Sequence, residues 1–199
     1  MAETPGTAPA HAGFGPELRV DWIAAEELTA PGRGRLGLTF LPGKRGASLR
    51  YPGHVYRRDT ASDLVALRSA GVVRLILLVE DGELSNWGDA GIVSMGVAAG
   101  VDVMRHPIPD GAPAASTEEM DLILDEIDAA RAQGDVAVAC MGGVGRTGMV
   151  AACALLRAGR SADEAIARVR EVRHPTAVET RAQERFVRAY EAHEKGRKL

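Results

Sequence analysis

The stretch DVAVACMGGVGRTGMVAACALL (135–156) decides the fold. Its first part, DVAVA (135–139), is a short apolar run of the kind a strand covered on both faces shows. From about Thr147 it predicts a helix that continues past the stretch to Ala158 and stops at Gly159. Between them lies Cys140-Met141-Gly142-Gly143-Val144-Gly145-Arg146-Thr147. Glycine relieves the Cβ clash, so successive backbone N–H groups in such a loop can curl around one centre. The N-terminus of the following helix adds positive potential there. A cup of this kind suits a tetrahedral oxyanion, and Arg146 can grip two of its oxygens through the planar guanidinium fork. Cys140 is the first residue of the cup. Inward amides, a helix dipole and a guanidinium all favour thiolate over thiol, and a thiolate beneath a phosphoryl group is a nucleophile.

Outward from that loop, strands and helices alternate. VVRLILLV (72–79) and VDVM (101–104) read as further strands, with a helix near 85–99 between them. Upstream, Leu18, Val20 and Trp22 alternate with polar residues as a half-buried strand does, and Leu36, Leu38 and Phe40 repeat the pattern before a Leu41-Pro42-Gly43 turn. Asp59 opens a helix that ends at Gly71. Ser116 and Glu119 cap another that runs to about Gln133, and Ser161 and Glu164 a third that runs to about Arg173. A last helix spans roughly 179–195. The chain therefore predicts a single α/β domain over 18–196: a central, mainly parallel sheet flanked by helices, with the cup at a carboxyl strand end where such sheets bind ligands. Residues 1–17, small and rich in proline and glycine, predict a disordered tail.

Composition narrows the function. The chain has 199 residues, a net charge of −3 and two cysteines. That balance argues against a nucleic-acid or membrane-surface binder, and two cysteines make no disulfide framework, so a reducing, cytoplasmic setting is expected. No apolar run has the length of a membrane span. The five histidines lack metal-ligand spacing, so no metal site is assigned.

The spacing Cys140-x5-Arg146, with Gly143 midway and Thr147 following, resembles the signature loop of the cysteine-dependent protein tyrosine and dual-specificity phosphatases. LGLTFLPG (36–43), GELS (82–85), PIPDG (107–111), GGVGRTGMVAACALL (142–156) and AVET…Q (177–183) extend the resemblance over about residues 30–190, nearest to the kinase-associated phosphatase group. The resemblance implies a phosphomonoester hydrolase working through a cysteinyl-phosphate, without cofactor or metal. Its substrate would be a phosphorylated protein or a small phosphomonoester, and no nucleic acid, membrane or oligomeric state is implied. It makes Met141, Gly142, Gly143, Val144, Gly145 and Arg146 the phosphate cradle and Asp110 the general acid on a Pro/Gly-hinged loop. By the same resemblance Thr147 bonds the cysteine sulfur, Gln183 positions water, and Arg173 supports the loop. One departure stands out: Ala139 occupies the position before the cysteine where the family usually has histidine, and reduced activity is expected from it.

Three other readings compete. A scaffold with a weakened thiolate would bind phosphorylated partners without turnover. A deviant nucleotide-binding P-loop is suggested by GGVGRT, but Met141 and Arg146 replace both lysines and only helices are predicted after residue 147. The low-molecular-mass tyrosine phosphatases share Cys-x5-Arg but place it near the N-terminus, with the acid after it. Cys153, in the helix after the cup, reads as a core residue rather than a resolving cysteine.

Overall fold

The computed structural model describes residues 15, 17–29, 33–48 and 50–197. The tail expected over 1–17 therefore lies almost wholly outside the described residues. The sheet has five strands, β1 (Asp21–Ile23), β2 (Leu36–Phe40), β5 (Val72–Leu77), β6 (Asp102–Arg105) and β7 (Asp135–Cys140), in the order β1-β2-β7-β5-β6. Every pairing is parallel except β1 with β2. A separate two-stranded hairpin joins β3 (Arg45–Ala47) to β4 (Val55–Arg57).

Side-chain alternation in β7 divides the core. Val136, Val138 and Cys140 point into one cluster, with helices α4 (Thr117–Arg131), α5 (Gly145–Arg157), α6 (Ala162–Val172) and α7 (Arg181–Arg197). Ala137 and Ala139 point into the other, with α1 (Thr60–Ser69) and α3 (Ile92–Ala99). Helix α5 is buried from Gly145 to Leu156, which explains its nearly unbroken apolar sequence. Register places Phe40 beside Cys140 and Leu77 beside Ala139, so the segments leaving β2, β5 and β7 start from one edge of the sheet. No strand follows Cys140 among the described residues, and so no later strand end is present to carry the acidic magnesium ligand of a nucleotide hydrolase.

Local signals explain most boundaries. Asp59 and Ser116 accept hydrogen bonds from the Ser62 and Glu119 amides, and Ser161 with Glu164 forms a reciprocal capping box. Glu119 reaches back to the Ala115 amide instead of to Ser116. Gly71 takes the left-handed conformation, with φ of +97°.

Three expectations are corrected. The single helix near 85–99 is two, α2 (Asp81–Trp87) and α3, because Gly88 and Gly91 flank an Asp89 side chain that accepts from the Gly91 amide and so stabilises a turn. β2 is buried on both faces. Its polar-side positions, Gly37 and Thr39, lie under the amino-terminal segment: a Cβ on Gly37 would fall 2.6 Å from Val20, and the Thr39 hydroxyl donates to the Arg19 carbonyl at 2.8 Å. Finally, the arginine-rich stretch YPGHVYRR (51–58) has the composition of a solvated loop, yet it supplies β4 and buries Tyr56 against Phe40. No helix among the described residues is long and apolar enough to cross a membrane.

Candidate active site

The cup forms where β7 gives way to α5. Arg173, just past α6, donates to the carbonyls of Gly143 at 2.9 Å and Gly142 at 3.4 Å, and is itself held by Asp21 of β1 at 2.6 Å. Because C=O and the next N–H point oppositely across a planar trans peptide, carbonyls turned toward Arg173 send the Gly143 and Val144 amides inward. The Gly143 amide donates to Cys140 Sγ at 3.2 Å. Gly143 has φ of +66°, and a Cβ there would sit 2.3 Å from the Thr39 carbonyl oxygen, so this position admits glycine alone.

Cys140 is 3% exposed. Burial pushes its thiol up, but the Arg146 charge, the Thr147 hydroxyl and the Thr147 and Val144 amides outweigh burial and hold it below the ordinary thiol value. The Thr147 hydroxyl is buried and has no well-aligned hydrogen-bond partner among the described residues, which leaves it available to the sulfur. Ala139 faces the α1/α3 cluster and is wholly buried. An imidazole there would overpack the core, so the departure from the family pattern is built into the packing of this chain. Cys153 is buried too, and there burial pushes the thiol well up, as a core cysteine requires.

Arg146 is 1% exposed, and both of its Nη nitrogens meet acceptors. Glu83 of α2 takes it in a two-pronged fork, both contacts 2.7 Å, and the Ile108 carbonyl accepts at 2.9 Å. Burial pushes the Glu83 carboxyl up, yet Arg146 and the Glu80 amide bring it below its usual range. With its other hydrogen Nη2 donates to Asp110 at 2.8 Å. Asp110 stays 80% exposed in its side chain, on a loop whose Gly111 has φ of +71° and whose Gly111 carbonyl is tied to the Thr180 hydroxyl.

Gln183 is completely buried close to Gly145. Its side-chain carbonyl accepts from the Glu179 and Thr180 amides, and its Nε2 donates to the Ala112 carbonyl at 3.1 Å. In this arrangement it ties the start of α7 to the Asp110 loop, with one of its two Nε2 hydrogens committed to that tie. His106 pairs with Glu126 at 2.9 Å, away from the cup.

The match to a family model settles what the loop belongs to. Residues 53–160 match the family described as "Polymorphic toxin system, DSP-PTPase phosphatase". The chain belongs to this phosphatase family. It is similar to cyclin-dependent kinase inhibitor 3 of Rattus norvegicus, 27% identical over 87% of this chain and 78% of the relative, and to that of Sus scrofa, 29% identical over 78% and 71%. Among solved structures, a kinase associated phosphatase with its catalytic site cysteine replaced by serine shares the fold, at a TM-score of 0.77, 24% identity and coverage of 90% and 97%. Tk-PTP in its active form aligns at a TM-score of 0.64, with 28% identity over 82% of this chain and 99% of that one. The chain is thus an α/β phosphatase of the cysteine-dependent dual-specificity and tyrosine type.

Around the phosphatase loop opens a cavity of about 310 Å³, walled by Phe40, Tyr51, Tyr56 and Trp87 above Met141 and Gly142. Two of its charged residues are not apparent as site residues in the sequence. Glu83 lies in a helical turn, and its fork to Arg146 joins positions 63 apart in the sequence. Lys44 sits in the turn after β2, where LPGKRG resembles ordinary solvated loop. Gly43, with φ of +72° and its amide on the buried Asp63, steers Lys44 into the cavity instead. Elsewhere Asp121, His193 and Glu194 converge as metal ligands would, but Arg157, Arg197 and Tyr190 supply their partners.

Proposed function

We propose that the chain hydrolyses phosphomonoesters in two displacements at Cys140. One observation supports this most strongly: an inward amide meets a sulfur whose thiol is held low beside a buried guanidinium. In the first step the Cys140 thiolate attacks phosphorus in line, the ester oxygen leaves, and Asp110 supplies its proton. The loop amides of 141–146 and Arg146 hold the equatorial oxygens as charge redistributes among them. Arg146 meets Asp110 on one edge in the structure, and an arriving phosphoryl group competes for that edge. Its displacement leaves the exposed carboxyl free to carry the proton that the leaving oxygen needs. In the second step water attacks phosphorus, its proton passes to Asp110, and the P–S bond breaks toward a sulfur steadied by Thr147. Phosphate and the thiolate are restored with no metal in the cycle. Gln183 then acts through its tie to the acid loop.

Mixing the protein with an aryl phosphate in excess EDTA tests the scheme. A burst of phenol stoichiometric with enzyme, and phosphate trapped on Cys140 after acid quench, are expected. Absence of phenol release would instead favour a module that only binds phosphorylated partners, and activity that needs magnesium would favour nucleotide hydrolysis. Asp110→Asn is expected to slow aryl phosphates with poor leaving groups by about 10²-fold or more, and activated ones far less. A loss uniform across the leaving-group series would remove Asp110 from the acid role.

A further inference from the structure

Lys44 is 8% exposed and lines the cavity beside Met141, Gly142 and Asp110. Its Nζ lies 4.1 Å over the Tyr56 ring. The arginines of the same wall have carboxylate partners: Arg50 pairs with Glu179 and Arg173 with Asp21. Lys44 has neither a carboxylate nor any other hydrogen-bond acceptor on its ammonium among the described residues. We propose that Lys44 is the centre of a second anion site in this cavity, and that the preferred substrate is a small phosphomonoester carrying a second phosphate group.

The proposal rests on the catalytic reading above, because the first phosphate is the one at Cys140. That group is already served by the loop amides and Arg146, which leaves the Lys44 ammonium without a hydrogen-bonded acceptor. A buried ammonium with no acceptor is costly to keep. Burial brings the ammonium down to about 8, against the opposing pull of the Cys140 and Asp110 negative charges, so it remains largely protonated at neutral pH. An anion arriving in so desolvated a place gains more than it would at the surface. Phe40, Tyr51, Tyr56 and Trp87 offer apolar walls to a ring bearing both groups, and the volume suits a compact ligand.

The test compares phenyl phosphate with 3- and 4-phosphonophenyl phosphate, which share the scissile ester. One phosphonate isomer is expected to have kcat/KM about 10- to 100-fold above that of phenyl phosphate, the size of one charge-assisted contact. Lys44→Met, an apolar replacement of similar length, is expected to collapse that preference toward unity while melting at or above the parent temperature. A preference that survives Lys44→Met, an equal loss on all three substrates, or a stronger preference for a phosphotyrosine peptide flanked by glutamates would overturn the proposal. Calorimetry on Cys140→Ser with 1,4-phenylenebisphosphonate against phenylphosphonate, with and without Lys44→Met, reads the same site without turnover. A bisphosphonate preference lost with Lys44 in that experiment upholds the second site even if hydrolysis fails, and no preference there refutes it.

Discussion

Cys140→Ser is expected to lower kcat by on the order of 10⁴-fold or more, with binding of vanadate or tungstate retained. The cup does its work by holding a sulfur anion. Against the cost of burial, the Arg146 charge, Thr147 and two amides still bring the thiol below its ordinary value, but the same surroundings cannot ionise an aliphatic hydroxyl at neutral pH. The replacement is nearly isosteric and leaves the Arg173 clamp and the Glu83 fork intact, so loss of turnover with unchanged melting is the expected pair of results. The sign of the pH dependence follows. The nucleophile is active above its lowered value, so the acid limb of kcat/KM should lie below the ordinary thiol range, and iodoacetamide should label Cys140 far faster than Cys153. Full activity in the serine variant would end the case for a cysteinyl-phosphate.

Arg146→Lys is expected to cost about 10³-fold in kcat/KM although the charge is kept. Lysine supplies one compact ammonium where the structure uses a planar fork, with two contacts to Glu83, one to Ile108 and one toward the phosphoryl edge now held by Asp110. A lysine satisfying Glu83 has no second arm for phosphate. Its partner suffers as well: a part-buried carboxylate with fewer donors destabilises the fold by about 1–3 kcal/mol. Loss of activity should therefore come with a lower denaturation midpoint, unlike Cys140→Ser. Activity within 10-fold of the parent would show that point charge, not geometry, is what the site requires.

Legibility in the sequence followed how local each cause was. The strand, cup and α5 were readable because their determinants are contiguous: an apolar run, then glycines and an arginine, then a second apolar run. Arg173 and Asp110 were placed by resemblance, and the structure brings both to the loop. Lys44 and Glu83 were missed as site residues because nothing beside them in the chain marks them. Lys44 owes its burial to the hairpin of 45–57, whose Tyr56 carries the ammonium, and a short two-stranded hairpin in an arginine-rich stretch has the sequence of a solvated loop. The break between α2 and α3 turned on an Asp89 side chain that outcompetes helix continuation between two glycines, a balance too fine for periodicity to reveal. β2 looked half-buried because its outer face is covered by residues from far upstream.

The guanidinium that fixes the cradle's carbonyls is held in turn by a carboxylate on β1, which pairs antiparallel at the sheet's edge. The stretch matched by the family model, 53–160, contains neither partner of that salt link. Any minimal catalytic unit excised from this chain must therefore keep both the opening edge of the sheet and the turn beyond α6. Trimmed to the family boundaries, it would retain the nucleophile but lose the brace that keeps its oxyanion cradle in shape.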